Sequence, residues 1–392
     1  MTDWKVPLSD IDLGAAEIEA VTEVINRRWL TMGPKTEEFE QEFAHHHHAK
    51  HAVAVSSCTA ALHLSYLALG LSPGDEVIMP SITFVATANA AVVCGATPIF
   101  ADILSEDEPT IDPDHVESLI TSRSRAIVVV HYGGYSSRMK EIMRVAEKHS
   151  LSVLEDCAHA PGVRYDDRHL GTLGATGCFS FFSNKNLSTG EGGMVTTQDD
   201  EIAEHVRSLR SHGMTSGTWK RHNERPQDYD VSEAGWNYRI DEIRAAMGLV
   251  QLAKLERANA RRAELVARYR NRLNGIEEVR VAFDKYVGES AFHILPLVAR
   301  DRATRLEIVV ALTEARVQTS HHYSPVHLFQ LYREQFGYKS GMLPRTESFA
   351  SRQVTLPLYP GMKDDDVDFV TEVILDELQG KAGRSSRVGT AP

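Results

Sequence analysis

One lysine stands out in the segment Cys178 to Met194, CFSFFSNKNLSTGEGGM. Lys185 lies between an apolar strand and a glycine-rich turn. A lysine ammonium is strongly hydrated, so a lysine beside a core strand and flanked by small residues needs a chemical reason to be there. With a lowered pKa its amine attacks carbonyls and forms a Schiff base. The ordinary alternative is a surface lysine on a loop, and the segment alone leaves both open.

A second candidate group lies upstream. The run LSVLEDC ends in Glu155 and Asp156, with His159 three residues on. A carboxylate at the end of a buried strand needs a partner to offset its lost hydration. In an enzyme of pyridoxal phosphate (PLP), that partner is the pyridinium nitrogen, and the protonated ring accepts electrons from the substrate. His159 would then be in range of the phenolic oxygen of the ring. The alternative for Asp156 is a helix N-cap. A phosphate needs N–H and hydroxyl donors. The run SSCTAALHL supplies Ser57, Cys58 and Thr59 at a helix start, where free amides and the helix dipole favour an anion. Ser180, five residues before Lys185, offers another hydroxyl. Phe84, in PSITFVATA, is placed to stack on a ring, or else to fill core.

These residues need elements to position them. From residue 52 to 200, short apolar runs (AVAVSS, EVIMP, TPIFADI, AIVVVHY, LSVLEDC) alternate with helical stretches. RMKEIMRVAEKHS is amphipathic, with Ile142, Val145 and Ala146 on one face. This alternation predicts an α/β fold with a mainly parallel sheet covered on both sides. Ligands in such sheets bind at the carboxyl ends of the strands, which singles out Ser56, Ser57, His131 and Asp156. Residues 14–28 read as a helix with Ile18, Val21 and Ile25 spaced for one face. Residues 240–275 read as a long helix. It leads from a large domain, 1–255, to a smaller C-terminal α/β domain, 256–380, in which AFHILPLVA and RVQTSHHYS read as strands. The polar tail, 381–392, reads as disordered. The four consecutive histidines, His45 to His48, point in different directions on any regular element and cannot share one ion. They read as a solvated helix end, and no metal site is expected.

Together the segments SSCTAALHL, PSITFVATANA, EDCAHAPG, FSFFSNKNLSTGEGGM, GWNYRIDEIRAAMGLVQL and SHHYSPVH resemble the DegT/StrS family of PLP-dependent sugar aminotransferases. The resemblance spans residues 5–375 and is strongest in the SFxxxKxxxxGEGG pattern from Ser180 to Gly193. It implies an aspartate-aminotransferase-like fold (fold type I), PLP as cofactor, and a homodimer with shared active sites. It makes Lys185 the Schiff-base lysine and general base, with Asp156 on the ring nitrogen, His159 near the phenolic oxygen and Phe84 on the ring face. Cys58, Thr59 and Ser180 hold the phosphate. Asn237 matches the asparagine that reaches the phosphate of the other subunit. Cys58 stands where the family has Gly or Ser, so its contact is expected from the backbone. The implied donor is L-glutamate. The implied acceptor is a nucleotide-linked keto sugar, C4 of a dTDP-4-keto-6-deoxyhexose, met by Trp29, Thr31, Gly33, His322 and Tyr323 with Lys220 and Arg239 on the diphosphate. A 3-keto sugar or keto-cyclitol is the alternative acceptor. The dehydratase branch of the family carries histidine in place of the lysine, and Lys185 argues against it.

Composition sets outer bounds. A net charge of −12 opposes nucleic-acid binding by bulk electrostatics. No apolar run reaches the length of a membrane span, about 20 residues. The four cysteines show no CxxC spacing, and a reduced, cytoplasmic setting is expected.

Overall fold

The computed structural model describes residues 4–215 and 229–388. Its centre is a seven-stranded sheet in the order β1-β9-β8-β5-β4-β2-β3. The strands are β1 (His51–Val55), β2 (Glu76–Pro80), β3 (Thr97–Ala101), β4 (Ser124–Val130), β5 (Ser152–Asp156), β8 (Thr176–Ser180) and β9 (Gly193–Thr197). Two short strands, β6 (Arg164–Tyr165) and β7 (Arg168–His169), form a separate hairpin. Strand β9 runs antiparallel to both of its neighbours, and the other pairings are parallel. Residues of β2, β8 and β9 are buried throughout, as expected for strands covered on both faces.

Helices α2 (Pro34–His46), α3 (Cys58–Ala68), α4 (Ala86–Val93), α5 (Pro113–Ser118), α6 (Met139–His149) and α7 (Asp200–Leu209) surround the sheet, and α1 (Ala15–Arg27) packs on the long helix Glu242–Leu273. In α6 the face bearing Ile142, Val145 and Ala146 is buried, as its periodicity predicts. Helix α1 forms where expected but turns the other way. Ile18 is 70% exposed and Ile25 55% exposed, while Glu17 is buried. The Glu17 carboxylate accepts from Gln251 (2.8 Å) and the Gly14 amide (2.8 Å) and pairs with Lys254 (2.7 Å), which decides the inward face.

The long helix α8 (Glu242–Leu273) connects the large sheet to a three-stranded antiparallel sheet. That sheet comprises β10 (Val279–Val281), β11 (Leu295–Ala299) and β12 (Gln353–Leu356). The division at residue 255 falls inside α8. Helices α9 (Arg302–Glu314), α10 (Gln330–Phe336), α11 (Pro344–Arg352) and α12 (Asp364–Val388) complete this part. The N-terminus joins the same smaller core. Val6 is fully buried there and bridges Val317. The run RVQTSHHYS makes isolated bridges rather than a strand, through Val317 to Val6 and Ser320 to Thr355. Helix α12 continues to Val388, into the segment that composition marks as a polar tail; Lys, Ala and Arg there are good helix formers. Residues 389–392 lie outside the described residues.

Candidate active site

The carboxyl ends of β1, β5 and β8 face one cavity of about 390 Å³. Ser57, Cys58, Thr59, Phe84, Asp156, His159, Ser180, Lys185, His322 and Tyr323 all line it.

Alternation along β5 sets the chemistry. Asp156 points into the cavity, where its carboxylate accepts from the Thr87 hydroxyl (2.7 Å) and the Ala158 amide (3.1 Å). Thr87 is itself hydrogen-bonded to Thr83 at 2.8 Å. Burial raises the Asp156 pKa against the pull of those donors. Glu155 points to the opposite face and is fully buried. It accepts from His131 Nε2 (3.1 Å) and from the amides of Gly171 (2.9 Å), Leu173 (2.8 Å) and Gly174 (2.7 Å). His131, expected at the ligand end of the sheet, therefore belongs to this structural knot and not to the cavity. Strand alternation turns it away. His131, Glu155 and Cys157 also have the proximity of a metal-ligand set. The hydrogen bonds on Glu155 account for that carboxylate without an ion.

Lys185 lies in the loop between β8 and β9, with its amine in the cavity. Burial pushes its pKa down to about 8, while Cys58 and Asp156 pull it up. About a tenth of the amine is thus neutral and nucleophilic at pH 7, and about half at pH 8. His159 accepts from the Gly133 amide at Nδ1 (3.2 Å), so its proton sits on Nε2, which donates to the Tyr323 hydroxyl (3.0 Å). Burial holds the His159 pKa well below the usual range, and it stays neutral.

The phosphate end is the start of α3. Ser57 caps the helix, accepting from the Ala60 amide at 3.1 Å. Capping and ligand reach are therefore both readings of Ser57, and it also lines the cavity. Ser180 is buried alongside. Gly193, the first residue of β9, packs against this turn. A Cβ there would lie 2.5 Å from the Ser57 carbonyl carbon and 2.7 Å from the Cys58 nitrogen. Only glycine lets β9 approach so closely.

The remaining candidates form a second group outside this cavity. Thr31 bridges Asp241, and Asn237, exposed, bridges Ser211. Trp29 donates to the Met32 carbonyl (3.3 Å). Gly33 is the N-cap of α2, and a Cβ on it would meet the Trp29 ring at 2.6 Å. Glu242 ties the turn to α8, accepting from the amides of Gly33, Lys35 and Thr36, each at 2.8 Å, and from the Thr36 hydroxyl at 2.7 Å. Arg239, half-buried, lies in the adjoining stretch. Lys220 falls outside the described residues.

A sequence profile of the DegT/DnrJ/EryC1/StrS aminotransferase family matches residues 11–375. The chain belongs to this family. It is similar to the spore coat polysaccharide biosynthesis protein SpsC of Bacillus subtilis, with 43% identity over 94% of this chain and 96% of that protein. Among solved structures it is similar to Helicobacter pylori PseC, an aminotransferase involved in the biosynthesis of pseudoaminic acid. The TM-score is 0.89 and the identity 30%, covering 96% of this chain and 99% of that one. DesV of S. venezuelae, solved in complex with a ketimine intermediate, aligns with a TM-score of 0.87 and 36% identity, over 94% of this chain and 97% of its own. The protein is thus a sugar aminotransferase of fold type I that uses PLP.

The cavity fits that cofactor. It offers a nucleophilic amine, a helix start with hydroxyls for a phosphate, and a buried carboxylate. Among the described residues that carboxylate accepts from one hydroxyl and one amide, with the Lys185 amine as the nearby cation. A protonated ring nitrogen would give this carboxylate a directly hydrogen-bonded cation. Phe84 is 60% exposed at the rim, with its ring tilted against Tyr323 at 6.1 Å between centroids. Thr87, Thr83, Asn184 and Glu191 also line the cavity and were not singled out from sequence. Thr87 had a readable signal, one turn beyond Phe84 on α4.

Proposed function

We propose that this chain moves the amino group of L-glutamate to C4 of a dTDP-linked 4-keto-6-deoxyhexose, within the synthesis of a surface glycan. We propose further that it works as a cytoplasmic homodimer with shared active sites. The observation that carries the reading is the pairing, in one cavity, of an amine with its pKa pushed down to about 8 and a buried carboxylate held by one hydroxyl and one amide. When bound, PLP supplies an aldehyde that takes up amines and a ring that accepts the electrons released at the substrate carbon. Asp156 holds the ring nitrogen in its protonated state, and its cost of burial falls as it does so. Lys185, once free, takes a proton from one face of the substrate and returns it. Ser180, Thr59 and the amides at the start of α3 hold the phosphate. Tyr323 and His159 form one neutral hydrogen-bonded pair lining the same cavity. Four free cysteines accord with a reducing compartment.

The second group of residues supports the shared site. Thr31 and Gly33 are tied to the start of α8 through Asp241 and Glu242, Asn237 bridges Ser211, and none of Trp29, Thr31, Gly33, Asn237 and Arg239 lines this chain's cavity. Phe182, at the cavity, is 45% exposed. A partner subunit would cover it and bring its own Asn237 to the phosphate. Similarity to SpsC, a spore coat polysaccharide biosynthesis protein, supports a surface-polysaccharide setting.

Mixing two inactive variants tests this. Lys185→Ala and Asn237→Asp protomers, unfolded and reassembled together, should recover activity because one of the two sites in a mixed dimer is intact. No recovery would place each site within one chain. The same preparation assayed with dTDP-, UDP- and GDP-linked 3- and 4-keto sugars should turn over the dTDP-4-keto sugar fastest. Faster turnover of a 3-keto sugar would overturn the C4 assignment.

A further inference from the structure

Lys185 has a neighbour that the chemistry above does not use. Its Nζ lies 3.4 Å from Nε2 of His293, which is 108 residues further along the chain and buried in the stretch before β11. His293 is held from behind. Its Nδ1 is 2.9 Å from Oδ1 of Asn186. The Asn186 amide nitrogen donates to Asn259 Oδ1 and to the Ala291 carbonyl, each at 2.7 Å. Asn259 in turn donates to the Pro161 carbonyl at 3.1 Å. These bonds fix the direction of the whole chain. The Asn186 oxygen must face His293, the imidazole proton must sit on Nδ1, and the Nε2 lone pair must face the lysine amine. Burial, with the tilted ring of His159 at 4.2 Å between centroids, keeps His293 neutral. A small cavity of about 20 Å³ adjoins it, where Asn184, His293, His322 and Thr355 meet the apolar Leu8 and Leu356, with room for roughly one water.

We propose that His293, anchored by Asn186 and Asn259, is a positioning residue that holds the free Lys185 amine over the cavity by accepting its hydrogen bond. The proposal rests on the reading of Lys185 as the reacting amine. A lysine stem has four rotatable bonds, and in a cavity this size the freed amine would lose its aim. A fixed neutral acceptor serves both protonation states, because ammonium and amine each have an N–H to give. A charged partner would lock the ammonium form. The other groups facing the amine are Cys58 on α3, Asp156 on β5, and His159 and His322; Arg262 on α8 stands behind His293.

The test reads the amine in the full-length apoenzyme, without turnover. Pulse labelling with acetic anhydride across pH, followed by mass spectrometry of the Lys185 peptide, gives a midpoint expected at about 8. His293→Phe keeps a ring against His159 but removes the acceptor. Its midpoint should fall by about one pH unit, the scale of one hydrogen bond to a charged group. His293→Gln places an amide oxygen near the Nε2 position and should restore most of that shift. Asn186→Ala, which frees the tautomer, should lie between, and it decides the matter if the Phe variant does not fold. A midpoint unchanged within about 0.3 unit in the Phe or Ala variant would overturn the proposal. The underlying reading fails separately: borohydride treatment of the cofactor-loaded wild type would then leave Lys185 unmodified, whatever the labelling midpoints show.

Discussion

Glu155 and Asp156 are adjacent, both buried and both carboxylates, yet exchanging each for its amide should have opposite consequences. In Glu155→Gln the shape is kept and one oxygen becomes an NH₂ group. Oε1 accepts from Leu173 and Gly174, and Oε2 from Gly171 and His131. Whichever way the new amide is turned, its nitrogen faces two donors. His131 cannot relieve this by changing tautomer, because its Nδ1 already accepts from the Ser137 amide at 3.2 Å. Two charge-assisted bonds are lost, each worth about 1.5–3 kcal/mol, so the variant should lose about 3–6 kcal/mol. That is a large part of a typical stability of about 5–15 kcal/mol. In Asp156→Asn the apoenzyme should change by less than about 1 kcal/mol, since the amide oxygen can still accept one of its two bonds and no buried charge remains. The cofactor should bind weakly and transamination should fall by orders of magnitude. Urea denaturation of both apoenzymes, followed by circular dichroism, separates the two. A Glu155→Gln midpoint within about 1 kcal/mol of wild type would refute the reasoning, because the four-donor knot would then carry no energy.

Two further expectations follow from the site and its surroundings. Burial holds the pKa values of His46, His47 and His169 below the ordinary 6.5, His169 at about 4. The unfolded chain therefore takes up protons first, and stability should fall as pH drops from about 6.5 to about 4. His169→Gln should flatten that slope in urea midpoints measured across this range, and an unchanged slope would contradict the assignment. Gly193→Ala forces β9 away from the start of α3; overpacking of about 1–3 kcal/mol should weaken PLP binding by about 5- to 150-fold in a fluorescence titration. An unchanged Kd would show that this turn does not hold the phosphate.

Much of the site was legible because it lies at strand and helix ends with strong local signals. Asp156 closes an apolar run, Lys185 sits in a glycine-rich turn, and Ser57 to Thr59 open a helix. What escaped depends on contacts far apart in sequence. His47 looks like part of a solvated run, yet it is fully buried, stacked on Phe43 at 4.0 Å, with Nε2 accepting from the Gly162 amide at 3.0 Å. Nothing within the run HHHH announces a partner 115 residues away. His131 was misplaced by a simple rule, since being at a strand end does not fix which face a side chain takes. Helix α1 shows the same lesson: periodicity found the helix, but the ion pair of Glu17 with Lys254 chose its inward face. His293 lay inside an apolar run read as strand, and only the fold brings it to Lys185.

The central claim is that Lys185 is the residue that carries the cofactor. Borohydride reduction of the purified holoenzyme, followed by digestion and peptide mass mapping, tests it most directly. The account predicts PLP fixed on the peptide containing Lys185 and no labelled peptide from Lys185→Ala. Cofactor fixed on a different lysine, or undiminished transamination by Lys185→Ala, would contradict it.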